Sequence, residues 1–212
     1  MACTTAAVKI CKWLLQHSDD NKIPNETELN KELLLAYEEW FNLVERKLTR
    51  SYESAERVLE LIPQSMCGIK KVAEFYGWAT SDTTTDELDV IKERSVCSLH
   101  KAISEAWNIA VERNDNRAAA CLTIKGKSVA LLFRATGRAV LVDSHGKQNS
   151  GERAYMATYF SYLDMVHDLA LHNQPVNILH VRRKEGEEEK EEIVIPHDYD
   201  LTVFVLENDS EQ

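Results

Sequence analysis

Between residues 4 and 17, Ala7, Ile10, Cys11, Leu14 and Leu15 fall at the three-and-four spacing of a helix with one buried stripe. Cys3 stands at the start of that helix. After a polar loop through Asp19, Asp20 and Pro24, residues 28–61 repeat Leu33, Tyr37, Trp40, Phe41, Val44 and Leu48 at helical spacing among many charges, which predicts one long helix or two shorter ones. Pro63 closes this run. Gly68 and Gly77 then bracket a segment with Val72, Phe75 and Tyr76, read as a short helix, and Ser81 to Thr85 form a Thr-rich turn. Asp86 and Ser95 are candidate helix caps, the second opening a helix to about Arg113 that buries Leu99, Ile103, Trp107 and Ile109 or their neighbours.

Beyond residue 117 the period changes. Residues 118–124, 128–133 and 139–143 are short β-prone runs separated by Lys125-Gly126-Lys127 and by Ala135-Thr136-Gly137-Arg138, which predicts consecutive hairpins. Residues 155–172 return to helical spacing, and 176–182, 193–196 and 200–206 read as further strands. The glutamate-rich stretch 184–192 is expected to be a solvated hairpin tip. The expected fold class is therefore α+β: a helical region over about 3–113, then a mostly antiparallel sheet over about 118–206, in one domain spanning 1–212.

Composition narrows the function classes. The five cysteines, Cys3, Cys11, Cys67, Cys97 and Cys121, are odd in number and follow no disulfide framework, the pattern of a reducing compartment in which thiols stay free. Lys9 and Lys12 interrupt the apolar stretch near the start, so neither a secretory leader nor a membrane span is expected, and the chain is read as intracellular, cytoplasmic or nuclear. The glycosylation-like triplets at Asn25 and Asn208 are discounted on the same ground. A formal net charge of −10 argues against nucleic acid as a partner, because nothing here would track phosphates. It suits solubility, or the steering of a basic protein partner.

Candidate chemistry centres on sulfur. A helix N-terminus lowers a cysteine pKa, which places Cys3 as a nucleophile, and its small neighbours Ala2, Thr4 and Thr5 leave room for a substrate near its own N–H. Cys11 lies on the buried stripe beside Leu14 and Leu15 and is read as core, whereas Cys67, after Pro63 and before the expected short helix, is the spare candidate. Asp143 and His145 lie two residues apart at the end of an expected strand, so one can orient the other, and a histidine held by a carboxylate is the base that a thiol nucleophile requires.

The early cysteine at a helix start, the helical middle and the hairpins running from Cys121 into Val142-Asp143-Ser144-His145-Gly146 together resemble the herpesvirus large-tegument-protein deubiquitinases and their non-viral relatives, which are papain-like cysteine peptidases. The resemblance spans nearly the whole chain in element order, and in detail the Cys3 helix and the segment from Cys121 to Gly146. It implies that Cys3 attacks the isopeptide carbonyl after the terminal glycine of ubiquitin or a ubiquitin-like modifier, with His145 as base and Asp143 as its orienter. The helical middle over about 28–113, too large to be only support for a small papain-like core, is expected to grip the body of ubiquitin, and no cofactor is expected. One departure stands out: the family usually has a polar residue, often Gln, a few positions before the cysteine, where here only Met1 and Ala2 precede Cys3. The oxyanion donor then comes from elsewhere, or the given chain starts later than the motif, or activity is low. Rival readings are a non-catalytic ubiquitin- or protein-binding relative and a thiol acyltransferase using the same three residues.

Other signals fail. Gly126-Lys127-Ser128 lacks the earlier glycine of a phosphate loop, whose place Cys121 takes, and precedes a strand instead of a helix. Ser144 lacks the Gly-x-Ser-x-Gly elbow, with Val142 at the first glycine position. Cys97 and His100 have zinc-like spacing but no second pair, so no metal is expected, and His167, His172 and His180 are given no role.

Overall fold

Alternation along the central strands dictates the layering. In β2 (Arg117–Ile124), Ala119 and Cys121 belong to one apolar cluster while Ala118, Ala120, Leu122 and Ile124 belong to another, so both faces of this strand are covered. The same split runs through β3 (Lys127–Arg134) and β4 (Ala139–Asp143), where Ala130, Leu132, Val140 and Val142 face the first cluster and Leu131, Phe133, Ala139 and Leu141 the second. The computed structural model describes residues 2–18, 25–49, 53–78, 98–145, 154–172, 176–184, 187–195 and 198–207. Among these, helices α1 (Cys3–His17), α2 (Glu26–Glu45) and α3 (Ala55–Leu61) supply the first cluster, and α4 (Leu99–Glu112) and α5 (Tyr162–His172) the second.

Two more edge elements and one return strand complete the sheet between these helical layers. With β1 (Ile69–Trp78), β5 (Tyr155–Tyr159) and β8 (Asp198–Leu206) it has six strands in the order β1-β8-β2-β3-β4-β5, every neighbouring pair antiparallel. The fold is thus a mixture of helices with an antiparallel sheet, as the periodicity predicts. β6 (Val176–Lys184) and β7 (Glu187–Ile195) pair with each other in a separate two-stranded sheet.

Residues 28–61 take the second of their two expected forms, two shorter helices, each with its own cap: Asn25 accepts from the Thr27 N–H at 2.8 Å, and Ser54 from the Arg57 N–H at 3.1 Å. Several other expectations are corrected. The segment between Gly68 and Gly77 is not a helix but strand β1, paired residue by residue with β8. A bulge between Lys71 and Ala73 breaks the two-residue period, which is why Val72, Phe75 and Tyr76 mimic helical spacing. Ala73 and Phe75 pack on the α4 side, whereas Val72 and Tyr76 are 42% and 52% exposed.

Residues 155–172 are likewise an edge strand followed by a helix, with Ser161 accepting from the Leu163 N–H at 3.1 Å where the helix starts. The glutamates of 187–192 are not a tip; they form most of β7. Helix α4 begins at Ser98, which accepts from the Lys101 N–H at 3.3 Å, while the expected caps Asp86 and Ser95 and the turn 81–85 lie outside the described residues. Leu99 and Ile103 are buried in α4 as expected, with Ala102, Ala106 and Ala110 completing its face, and Trp107 and Ile109 partly buried at its margin.

Helix α1, which carries Cys3, is held at several points. Ala119 and Ala130 are small enough to let it lie close on β2 and β3, and Lys9 pairs with Glu39 of α2 at 2.6 Å while Lys12 donates to the Ser65 carbonyl at 2.7 Å. At its C-terminus the Arg117 guanidinium donates to the Ser18 carbonyl. Leu14 is fully buried between these layers, so Leu14→Ala is expected to cost about 2–5 kcal/mol, read as a lower urea midpoint with an unchanged slope.

Candidate active site

Cys3 is the first residue of α1, and no side chain caps that end of the helix. The backbone N–H groups of the opening turn therefore lack intrahelical acceptors and carry the positive end of the helix dipole. Against this turn lies the β2–β3 hairpin. Its two central residues, Lys125 (φ 52°) and Gly126 (φ 69°), adopt the left-handed conformation of a type I′ turn, the tight connection that suits strand twist. The turn brings the Gly126 carbonyl to 4.0 Å from the Cys3 sulfur.

On the other side β4 ends at Asp143, and the bend after it carries Ser144 and His145. Asp143 Oδ1 accepts twice from the same residue, from the His145 backbone N–H at 2.7 Å and from Nδ1 at 2.9 Å. A carboxylate only accepts, so the proton sits on Nδ1 and the lone pair of a neutral ring is on Nε2. The pair therefore forms by a local turn closing on the aspartate, a tighter arrangement than two side chains leaving one face of a strand. Nε2 is buried and makes no hydrogen bond of ordinary geometry among the described residues. Gly146 lies outside the described residues.

Cys3 and His145 are close enough to perturb each other strongly. Burial works to raise the Cys3 pKa, but the nearness and charge of the His145 ring and the polar groups of Ser128 together bring it down from 9.0 to about 7. The hydrogen bond to Asp143 and the nearness of the Cys3 sulfur outweigh desolvation at His145 and raise it from 6.5 to about 9. Between these values the pair is a thiolate beside an imidazolium.

The remaining cysteines divide as their surroundings require. Cys11 and Cys121 are fully buried, and desolvation pushes both thiols upward, so they stay protonated. Cys67 is exposed and precedes strand β1, which removes the helix start that made it a spare candidate. Cys97 lies outside the described residues. No group of metal-ligating side chains occurs among the described residues, and no described helix is long and apolar enough to cross a membrane.

Sequence reasoning missed three hydroxyls here. Ser128 Oγ lies 3.0 Å from Thr4 Oγ1 and 2.9 Å from Thr123 Oγ1, directly beneath the Cys3 turn. The signal available was the hairpin register: a two-residue turn at Lys125-Gly126 forces Thr123 opposite Ser128 on one face.

The fold and the cluster define a class: helices on both sides of an antiparallel sheet, with a cysteine, a histidine and an aspartate brought together across its top. No protein-family profile matches the chain, and no curated protein matches it in sequence. Among solved structures its fold is similar to the ubiquitin-specific protease encoded by murine cytomegalovirus tegument protein M48, which was solved in complex with a ubiquitin-based suicide substrate. That similarity has a TM-score of 0.59 at 10% identity and covers 100% of this chain and 81% of the other.

Proposed function

We propose that the chain is a papain-like cysteine peptidase of the deubiquitinase type, one domain with Cys3 as nucleophile, His145 as base and acid, and Asp143 as orienter. The observation that carries this reading is the mutual effect of Cys3 and His145, which favours thiolate and imidazolium together near neutral pH. The fold similarity to the viral ubiquitin-specific protease supports a ubiquitin-type substrate. Exposed Leu34, Phe41 and Val44 on α2 suit a protein substrate gripped by the helical layer.

The chemistry follows from the protonation states. The Cys3 thiolate attacks the carbonyl carbon after the last glycine of ubiquitin or a ubiquitin-like modifier, and the carbonyl π pair moves onto oxygen. The uncapped N–H groups at the start of α1, beginning with that of Cys3, are suited to hold that oxyanion. His145 passes its Nε2 proton to the departing amine as the C–N bond breaks, leaving a thioester on Cys3. Nε2 then takes one proton from water as its oxygen attacks the thioester carbon; the C–S bond breaks to return the Cys3 thiolate beside the protonated ring, and the glycine carboxyl group leaves as carboxylate, its remaining proton going to solvent.

The test is incubation with ubiquitin bearing a C-terminal electrophile. The expected product is one covalent adduct per chain, mapped to Cys3 by peptide mass and unaffected by Cys67→Ala. Adduct formation at Cys67 would move the site. Tight binding of ubiquitin with no adduct would make the protein a binding module.

A further inference from the structure

The interface between α1 and the sheet is apolar along most of its length, through Ile10, Cys11, Leu14, Ala119 and Leu132. At the end beneath Cys3 it becomes polar: Thr4 and Ser128 are buried, and Ser128 is 0% exposed. Buried hydroxyls cost free energy unless their hydrogen bonds are made, so a cluster placed here in an otherwise apolar layer calls for a reason.

We propose, building on the function argued above, that Ser128 is a positioning residue for Cys3: its hydroxyl, fixed from two sides by Thr4 and Thr123, gives its one proton to the Cys3 sulfur and holds the thiolate at the β2–β3 hairpin.

The hydrogen-bond inventory supports that direction. A serine hydroxyl has one donor and two acceptor sites. The Thr4 and Thr123 hydroxyls, at 3.0 and 2.9 Å, fill both acceptor sites when each donates, and the Ser128 proton is then free for a third partner. Cys3 stands beside that proton: Thr4, whose hydroxyl meets Ser128 at 3.0 Å, follows it in the helix, and Gly126, two residues before Ser128, brings its carbonyl to 4.0 Å from the sulfur; the backbone and hydroxyl of Ser128 accordingly favour the ionised thiol. Hydrogen bonds aligned in one direction polarise one another, which strengthens the last of them, onto sulfur.

The register makes the arrangement rigid. Thr123 and Ser128 are cross-strand partners one pair away from the type I′ turn, and Thr4 follows Cys3 in the same helical turn. The sulfur is thereby tied to both strands of the hairpin by groups that do not depend on His145.

Alkylation of Cys3 by iodoacetamide, followed against pH on the full chain by peptide mass, tests the proposal without needing turnover. The wild-type rate should rise through about 7. Ser128→Ala should move that inflection upward by about one unit and slow alkylation at neutral pH several-fold, and Ser128→Thr, which keeps the hydroxyl, should leave it in place. Thr123→Val, which removes only the supporting donor, should give a smaller shift of the same sign, and provides a second reading should Ser128→Ala fail to fold. Unchanged inflections in folded Ser128→Ala and Thr123→Val overturn the proposal. So does a wild-type inflection already at the ordinary thiol value. A shifted profile in protein that forms no adduct with the ubiquitin electrophile leaves Ser128 in this role and removes the proposed function instead.

Discussion

Cys3→Ala, His145→Ala and the double variant are expected to fall to one common floor, each losing roughly 10,000-fold or more in kcat/KM toward a ubiquitin C-terminal amide. Residues that act as a unit do not contribute additively. Without sulfur there is no nucleophile for His145 to assist, and without His145 the thiol returns toward its ordinary pKa and the leaving amine departs unprotonated. Steady-state kinetics on the three proteins, with matched unfolding midpoints, make the comparison. Independent, multiplying losses would show that the two side chains serve different sites, and full activity in Cys3→Ala would end the assignment.

The parts of the fold that were legible are those whose pattern is local. α1 and α4 carry their buried residues at three-and-four spacing, and β2, β3 and β4 are joined by short turns that carry glycine, so each announces itself within a window of a few residues. The edge strands β1 and β5 do not. β1 exists because β8, more than a hundred residues later, offers it a full row of hydrogen bonds, and its bulge hides the two-residue period that would have revealed it. β5 runs directly into α5, and its Tyr155-Met156-Ala157-Thr158-Tyr159 reads as a continuation of the helix until β4 is seen beside it. In β7 a glutamate-rich sequence unfavourable to strand structure is carried by pairing with β6.

The candidate site divides along similar lines. Cys3, Asp143 and His145 are chemically conspicuous, and their spacing or position could be interpreted before any contact was known. Ser128, Thr4 and Thr123 are ordinary hydroxyl residues whose meaning arises only from where α1 lies on the hairpin. Serine and threonine are common on β-strands, and nothing in the run Thr123 to Ser128 distinguishes a supporting network from a solvated edge; burial of Ser128 under Thr4 makes that distinction. Uncharged supporting groups are therefore the ones that sequence reading misses.

Asp143→Ala is expected to lower kcat/KM by roughly 100-fold to 10,000-fold and to change the shape of its pH dependence. In the intact protein the thiolate is lost as pH falls through about 7, because the Cys3 pKa is depressed below its ordinary 9.0, and the imidazolium is lost as pH rises through about 9, because that of His145 is raised above 6.5. The profile is then a bell with those two limbs, whose macroscopic values belong to the pair. Asp143 is the largest cause of the raised His145 value, so its removal draws the alkaline limb downward; a less charged ring stabilises the thiolate less, which draws the acid limb upward. The limbs converge and the plateau between them collapses. Asp143→Asn separates charge from geometry: the amide oxygen can still accept from the His145 backbone N–H and keep the turn, but the carboxylate charge is gone, and an amide N–H turned toward Nδ1 would leave the proton on Nε2, where it blocks the base. The asparagine variant should therefore match the alanine variant in turnover while exceeding it in thermal stability. A bell of unchanged width in either variant would show that the carboxylate neither orients nor charges the imidazole, and the three-residue mechanism would reduce to a cysteine–histidine pair.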